Sequence, residues 1–500
     1  MIIVDSDTMA AIDKRAREDF AYPGILLMEN AGLNSLRILE ENTLHLYSSG
    51  NTVFVCGSGN NGGDALVMAR HHFIRGYKCS IITAGSAYKE GHAKINFELC
   101  RNLGIKILDW KKEKNESVEE LRKSRVIVDG IAGTGLKGPL REREAELCDE
   151  INSSGSFICS VDIPSGIGDN FKNSFKSVNA DLTITIGLPK TSLYYPSARK
   201  RCGRIIITGA AFPPSVLSID NPSFVLIEKD MANRYINLPP HWSYKNSRGH
   251  AAVFAGSRGK SGAGVLSSRA ALKSLAGLVT LYTDKEIYSS LISSVTAVML
   301  DSFPPQKPFN ELLKTYDAFI TGPGWGFENE KKALLERLLL ETDKPLVIDA
   351  DGIALLSALK IRFKNKNCII TPHPGEFAAL VQVPADDILD NPAPYLKSFC
   401  SKTGITAVLK SHVTWICTPE GKIKILDSMN PALATAGSGD ILAGIIGGLL
   451  AYGLPPEKAA VSGVIIHSEA GKKCYNEKGY FASDELLDFI SLVIKEIKQA

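Results

Sequence analysis

The residues best suited to chemistry sit in glycine-rich loops, each directly after a short apolar run. The first is Gly57-Ser58-Gly59-Asn60-Asn61-Gly62-Gly63-Asp64. Glycines let backbone N–H groups approach a phosphate, and the N-terminus of a following helix adds a favourable dipole. The two asparagines offer carbonyl oxygens to a cation or a sugar. The spacing is neither GxGxxG nor a Walker loop, and it also fits a tight βα turn with Asp64 as the helix cap. The second loop runs from Asp129 through Gly130-Ile131-Ala132-Gly133-Thr134-Gly135 to Pro139, and the third is Val161-Asp162-Ile163-Pro164-Ser165-Gly166. A single strand-end Asp is ordinarily a loop cap. Three loops carrying Asn61, Asp129 and Asp162 point to one crevice at the carboxyl edge of a sheet, where open α/β sheets bind ligands.

The second half carries its own set. Gly256-Ser257-Arg258-Gly259-Lys260-Ser261-Gly262-Ala263 lacks the GxxxxGK[ST] order, which rejects a Walker reading. Gly322-Pro323-Gly324 and Asp349-Ala350-Asp351-Gly352 each follow a strand. Thr371-Pro372-His373-Pro374-Gly375-Glu376 holds a histidine on a stiff loop beside a carboxylate, with no second His or Cys at zinc-ligand spacing. Thr435-Ala436-Gly437-Ser438-Gly439-Asp440 carries the strongest signal. Glycines at a helix start form an anion hole, and an Asp in the first turn then opposes the anion. That arrangement makes sense if the Asp takes a proton from an attacking hydroxyl during phosphoryl transfer. A glycine-rich turn capped by Asp is the plain alternative.

These loops need strands and helices to hold them. Thr52–Cys56, Cys79–Thr83, Val126–Asp129, Phe157–Val161 and Leu182–Ile186 read as strands in the first half, with a helix from about Asp64. In the second half, Ala251–Ala255, Val279–Thr283, Ala318–Thr321, Leu346–Asp349, Cys368–Thr371, Ala407–Lys410 and Thr414–Cys417 are the strand candidates, with long helices after Ser261, Asn329 and Gly439. Strands alternating with helices mean βαβ units and mostly parallel sheets. A proline-punctuated stretch from about Phe212 to Ser247 places a boundary near residue 220. The expected domains are residues 1–215 and 222–500. Lys111–Glu120 reads as a solvated helix or loop.

Composition fits such a chain. Of 500 residues, 44% are apolar and 22% charged, which excludes a disordered chain, a collagen or a coiled coil. The net charge of +3 is too balanced to argue for nucleic acid or an anionic membrane. Ten cysteines with no CxxC spacing suit a reduced, cytoplasmic protein that uses them in its core. The longest apolar stretch, Ile441–Leu454, falls short of the roughly 20 residues of a membrane helix. No signal peptide is expected from the N-terminal residues.

The first half resembles the YjeF N-terminal domain, the NAD(P)HX epimerase. The resemblance rests on Leu27-Met28-Glu29-Asn30-Ala31-Gly32, the Gly59–Asp64, Asp129–Gly138 and Asp162–Gly166 loops, and Gly187-Leu188-Pro189-Lys190. It implies a Rossmann-like three-layer α/β/α domain. It further implies K+ held by Asn61, Asp129 and Ser165. Substrate would be held by Asn60, Asn61, Gly62, Gly63 and Asp64 and by Gly133, Thr134, Gly135, Leu136, Lys137, Gly138 and Pro139. Asp162 would be the acid–base. Ala65 stands where the family has a glycine, at the start of a helix, where alanine is tolerated.

From about Lys245 onward the chain resembles the ADP/ATP-dependent NAD(P)HX dehydratase domain of the ribokinase-like superfamily. Gly256-Ser257, Gly262-Ala263, Gly322-Pro323-Gly324, Asp349-Ala350-Asp351, Pro372–Glu376 and the Gly437–Asp440 turn carry it. By that resemblance Ala263, Gly324, His373 and Asp440 contact the hydrated dinucleotide. Lys410, Ser411, His412, Val413 and Thr414, with Asn430, Thr435, Ala436, Gly437, Ser438 and Gly439, surround ADP or ATP carrying Mg2+. Lys410-Ser411 replaces the family's Lys-Gly, and Ala436 to Asp440 replaces GGTGD.

Together the halves imply a fused enzyme that repairs hydrated nicotinamide cofactors: one domain epimerises R- and S-NAD(P)HX, the other dehydrates the S form through a phosphorylated intermediate, with Asp440 as base. The partners implied are NADHX or NADPHX and ADP or ATP, with no nucleic acid or membrane, and relatives imply a homo-oligomer. Two other readings stand beside it. A ribokinase-like kinase of a vitamin-type hydroxyl compound would leave a stable phosphorylated product. A binding module in the first half would lose nothing measurable in Asp162→Ala.

Overall fold

The computed structural model describes residues 1–47, 50–84, 88, 90–359 and 363–498. It divides into two compact units: Ile2–Phe224 with Leu389–Asn391, and Val225–Ile388 with Met1 and Pro392–Ala500.

The first unit is built on seven strands, β1 (Asn51–Cys56), β2 (Cys79–Thr83), β3 (Lys106–Asp109), β4 (Ser124–Gly130), β5 (Phe157–Val161), β6 (Leu182–Ile186) and β7 (Arg204–Thr208). They lie in the order β3-β2-β1-β4-β5-β6-β7, all parallel. Successive side chains of a strand point to opposite faces. Phe54, Ile81, Val126 and Val128 therefore join one core with Leu36 and Leu39 of α2 (Gly24–Tyr47), Leu66 of α3 (Asn60–Ile74) and Cys100 of α4 (His92–Asn102). Val53, Val55, Ile82 and Ile127 join the other, with Leu121 of α5 (Lys114–Lys123) and Leu147 and Ile151 of α6 (Glu142–Ser153). The result is three layers. A shorter helix, α1 (Ser6–Glu18), precedes them. The strand order reverses between β1 and β4, so the loops after these two strands flank the switch point, where such sheets open a crevice.

Nine strands of the second unit's sheet are β8 (His250–Phe254), β9 (Leu278–Asp284), β10 (Met299–Phe303), β11 (Ala318–Thr321), β12 (Leu346–Ile348), β13 (Cys368–Ile370), β14 (Thr406–Leu409), β15 (Val413–Cys417) and β16 (Ile423–Asp427). Their order is β16-β15-β14-β13-β12-β11-β8-β9-β10. All neighbours are parallel except the β14–β15 and β15–β16 pairs. One core packs this sheet against α7 (Ser261–Lys273), α9 (Ser438–Ala451), α10 (Pro456–Lys478) and α11 (Ser483–Ile497). A further helix, α8 (Pro374–Val381), follows β13. Here the order reverses between β8 and β11, which sets Gly256–Lys260 and Gly322–Gly324 at the switch point.

Two expectations need correction and one is met. Helix α3 begins at Asn60, not near Asp64, so Asn60 to Gly63 form its first turn and Gly59 takes the cap position without a side-chain hydrogen bond. Asp64 is therefore inside the helix and caps nothing. Lys106–Asp109, Arg204–Thr208, Met299–Phe303 and Ile423–Asp427 are strands the apolar-run criterion passes over. They sit at or near sheet edges, where only part of each strand is buried and charges such as Lys106 or Lys424 are tolerated. The mixed-charge run near Lys111 resolves into α5, which starts at Lys114.

Candidate active sites

In the first unit, close backbone approach builds the site. A Cβ on Gly62 would lie 1.8 Å from the Gly57 carbonyl oxygen, and one on Gly57 would lie 1.9 Å from that of Ile131. Only glycine fits either position, and the contacts pin the first turn of α3 against the loop after β4. The substituted Ala65 is fully buried, and a Cβ on Gly130 would meet its methyl at 2.6 Å.

Asp129 ends β4 in the interior. Its carboxylate accepts from Ser165 Oγ (2.5 Å), Ser160 Oγ (2.7 Å), Ser165 N (2.9 Å) and Ile131 N (3.2 Å). It pairs with no lysine or arginine among the described residues. Burial pushes its pKa up, while these hydrogen bonds pull it down. Asn61 Nδ2 donates to the Ala132 carbonyl at 3.1 Å, and Ser165 Oγ contacts the same carbonyl at 3.2 Å. Asn61 Oδ1, on the other side of that amide, is sealed from solvent with no hydrogen-bond partner among the described residues. An orphaned amide oxygen beside a serine hydroxyl and a buried carboxylate lacking a counter-charge fits a hard monovalent cation.

Asp162 opens a second cluster. It adopts a left-handed backbone (φ 65°), rare outside glycine but tolerated by Asp. Its carboxylate is ion-paired with Lys190, which is only 1% exposed, and accepts from Ile186 N at 3.0 Å. Lys190 Nζ also donates to the Ile186 carbonyl at 2.7 Å. Asp64 is held well above the usual carboxylate range by burial first, then by the charges of Asp162 and Asp13, with Lys190 opposing. Asp64, Asp13, Asn60 and His92 line a cavity of about 130 Å³. Whole-ligand sites run to roughly 300–1,000 Å³, so this cavity encloses only part of a dinucleotide. The Gly133–Pro139 loop does not line it. Gly133 abuts Asn61, where a Cβ would come within 3.0 Å, and the exposed Lys137 pairs with Asp7 at 2.9 Å.

In the second unit a polar chain crosses three neighbouring strand ends. Lys410 Nζ, after β14, lies 2.6 Å from Asp349 Oδ1, after β12, and Thr371 Oγ1, after β13, donates to the same oxygen at 2.8 Å. Asp351 takes Lys260 at 3.0 Å and the Gly326 N–H at 2.9 Å. The Gly437 turn meets this chain: a Cβ on Gly439 would approach Lys410 Nζ to 3.2 Å. Gly437 is left-handed (φ 91°) and caps α9; the Ser438 N–H is taken by the Thr435 carbonyl at 3.3 Å, so among the described residues the Gly439 and Asp440 N–H groups are those of the first turn left to face an anion. Asp440 stands in that turn. Its pKa is raised to about 7 by burial first, then by Asp349, with Lys410 opposing and Asp351 adding a smaller push.

The remaining expected residues fall around this centre. Ala263 sits in the first turns of α7, and a Cβ on Gly324 would meet its methyl at 2.9 Å, while Ser257 Oγ donates to the Gly324 carbonyl at 2.9 Å. Ser411, His412 and the ends of Val413 and Thr414 form the β14–β15 hairpin, closed by Ser411 Oγ on the Val413 carbonyl at 2.6 Å. Asn430 Oδ1 accepts from Ala432 N at 3.1 Å, and its Nδ2 is buried without a partner among the described residues. The Ala436 carbonyl accepts from Ser483 Oγ. His373 holds the start of α8: its Nδ1 accepts from the Gly375 and Glu376 N–H groups, while the side chain stays 59% exposed. Its Nε2 lies 3.5 Å from Glu376 Oε1.

Two groups escape a reading of the sites from sequence. Lys190 is visible there only as part of Gly-Leu-Pro-Lys, with no sign that it is buried against Asp162. His467 lies in an apolar run of α10, where a histidine reads as core. Its Nε2 lies 3.0 Å from Ser438 Oγ and 3.0 Å from the Ser438 carbonyl oxygen.

Comparison with known proteins adds the family. A profile described as YjeF-related protein N-terminus matches residues 25–192, and one described as NAD(P)H-hydrate dehydratase matches residues 251–492. The bifunctional NAD(P)H-hydrate repair enzyme Nnr of Moorella thermoacetica is 30% identical over 517 residues, covering 100% of this chain and 98% of that protein. Its counterpart in Thermofilum pendens is 33% identical over 508 residues, covering 98% and 95%. The chain belongs to the bifunctional NAD(P)H-hydrate repair enzyme family. Among solved structures, a ribokinase-like superfamily protein from Enterococcus faecalis V583 is 26% identical with a TM-score of 0.52, covering 57% of this chain and 99% of that one. Membership in the repair-enzyme family thus extends over both units, and the ribokinase-like fold accounts for the second. No helix among the described residues is long and apolar enough to cross a membrane.

Proposed function

We propose that the first unit epimerises R- and S-NAD(P)HX and that the second converts the S form to NAD(P)H with ADP or ATP as phosphoryl donor. Family membership over nearly the whole chain supports the pair of activities. The observation that carries the second is Asp440, a carboxyl with its pKa near 7 in the first turn of a glycine-started helix.

In the second unit Asp440 takes the proton from the substrate hydroxyl as its oxygen attacks the terminal phosphoryl group. The phosphoryl–oxygen bond to the donor breaks, and ADP leaves as AMP or ATP as ADP. Loss of phosphate from the ring, with a proton from the adjacent carbon, restores the double bond. The N–H groups of Gly439 and Asp440 stabilise the transferring group. Lys410, the Ser411–Thr414 hairpin, Asn430 and Thr435 to Gly439 hold the nucleotide, with the unpaired Asn430 Nδ2 as one available donor. Ala263, Gly324 and His373 hold the substrate. No cluster of three His, Cys, Asp or Glu side chains able to ring a metal occurs among the described residues. Magnesium would enter with the nucleotide phosphates and offset their charge.

In the first unit Asp162, oriented by Lys190 and the Ile186 N–H, is the acid–base. Asn60 to Asp64 and Gly133 to Pro139 hold the dinucleotide. Asn61, Asp129 and Ser165 hold potassium, which supplies a fixed positive charge at the crevice. Residues 1–215 and 222–500 are assigned as the two functional domains, in a cytoplasmic homo-oligomer.

The test is optical. Purified protein is mixed with hydrated NADH, and the return of dihydronicotinamide absorbance is followed with ADP, with ATP and with neither. Recovery requires a nucleotide and is lost in Asp440→Ala. Asp162→Ala restricts recovery to the S form. No recovery with either nucleotide overturns the assignment.

A further inference from the structure

The second unit contains a cavity of about 890 Å³, and of its lining residues only Ala436 has a role in the assignments above. One face of α7 forms a wall: Gly262, Val265, Leu266, Arg269 and Lys273 recur at the spacing that aligns side chains along a helix. The hydroxyls of Ser293, Ser294 and Thr296 also line it. At one end it reaches Ala436, next to the Gly437 turn, and Gly262, next to Ala263. It therefore leads away from the phosphoryl-transfer centre along α7, and Arg269 lies roughly 10 Å along the helix from Gly262.

Arg269 is half-buried and makes no hydrogen bond or ion pair among the described residues. Lys273, one turn further, approaches Asp488 only to 3.7 Å, and among the described residues Asp484 is the one carboxylate lining the cavity. A guanidinium without a carboxylate partner, set beside apolar side chains and free hydroxyls, suits a phosphate ester joined to a flat organic group. Of the nucleotide-holding residues only Ala436, at one end, lines this cavity; Lys410, Asn430 and the β14–β15 hairpin do not.

We propose that this cavity is the subsite for the phosphorylated, non-reacting half of the hydrated dinucleotide, with Arg269 as its phosphate anchor. The inference rests on the dehydratase reading. Two phosphate sources share the required chemistry: the diphosphate bridge of either substrate, and the ribose monophosphate that only NADPHX carries.

Steady-state kinetics of full-length Arg269→Gln and Arg269→Lys with S-NADHX and S-NADPHX, at saturating nucleotide, tests it. Arg269→Gln raises substrate KM by about tenfold or more, with kcat and nucleotide KM held and with partial recovery in Arg269→Lys. A rise confined to NADPHX identifies the monophosphate; an equal rise with both identifies the diphosphate. Unchanged substrate KM, or a rise in nucleotide KM instead, overturns the proposal. Wild-type protein that dehydrates neither substrate overturns the dehydratase reading, not the subsite. The subsite is then judged by fluorescence titration of NADPH and NADH into wild type and Arg269→Gln, where equal affinities overturn it. Matching thermal midpoints establish that the variants fold.

Discussion

Lys410 Nζ lies 2.6 Å from Oδ1 of Asp349, a carboxylate only 1% exposed. The pair brackets Asp440 with opposing charges: Asp349 raises its pKa, Lys410 lowers it, and burial dominates. A base must be ionised to accept a proton, so dehydratase kcat/KM rises with pH through about 7 and levels above it. Asp349→Asn removes the repelling charge and frees Lys410, which moves this limb to lower pH by about one unit. A pH–rate profile of wild type and variant decides it; a limb that stays in place removes Asp440 from the role of base.

The same burial costs stability. Asp440 has a folded pKa above the ordinary 3.8 of an aspartate, so the native state holds its proton longer than the unfolded chain does. Native stability is therefore lost as pH rises from about 4 through about 7. Asn has no such dependence. Asp440→Asn should match wild type near pH 4 and exceed it above pH 7, by on the order of 2–4 kcal/mol. Thermal midpoints at the two pH values measure the difference; equal gaps at both would contradict it.

Potassium at the first site has a readout independent of turnover. A cation bound only by the folded state stabilises it by mass action. Wild type should melt several degrees higher in potassium chloride than in choline chloride of equal ionic strength. Asn61→Ala removes the orphaned oxygen and should abolish most of that gap. Melting that is indifferent to the cation in wild type would count against potassium at Asn61, Asp129 and Ser165.

Strands buried on both faces are readable because burial forces continuous apolar runs: Cys79–Thr83, Phe157–Val161 and Leu182–Ile186 begin and end where expected. Edge strands such as Lys106–Asp109 are polar enough to pass for loop. Glycine loops are readable as loops, but the first turn of α3 is not, since two glycines at Gly62 and Gly63 argue against helix by propensity. Tertiary contact decides otherwise, because the Gly57 and Ile131 backbones leave no room for a side chain. Lys190 and His467 depend on partners 28 and 29 residues away, a proximity that no local pattern encodes.

His467 gives the last prediction. Burial, with a smaller push from Lys410, pulls its pKa down to about 4, so at neutral pH an uncharged imidazole supports Ser438 at the start of α9. A histidine with a depressed folded pKa gives stability that is full above its unfolded value of 6.5 and is lost as pH falls toward about 4. His467→Gln keeps a neutral hydrogen-bonding group and removes the titration, so its stability should be flatter across that window. His467→Leu leaves Ser438 Oγ without this partner and should cost about 1–3 kcal/mol, with nucleotide KM raised severalfold because the helix start is less fixed. Thermal midpoints measured every half pH unit, with nucleotide KM at neutral pH, test both. Parallel curves for wild type and His467→Gln, or an unmoved KM in His467→Leu, would show that the imidazole is only filling space.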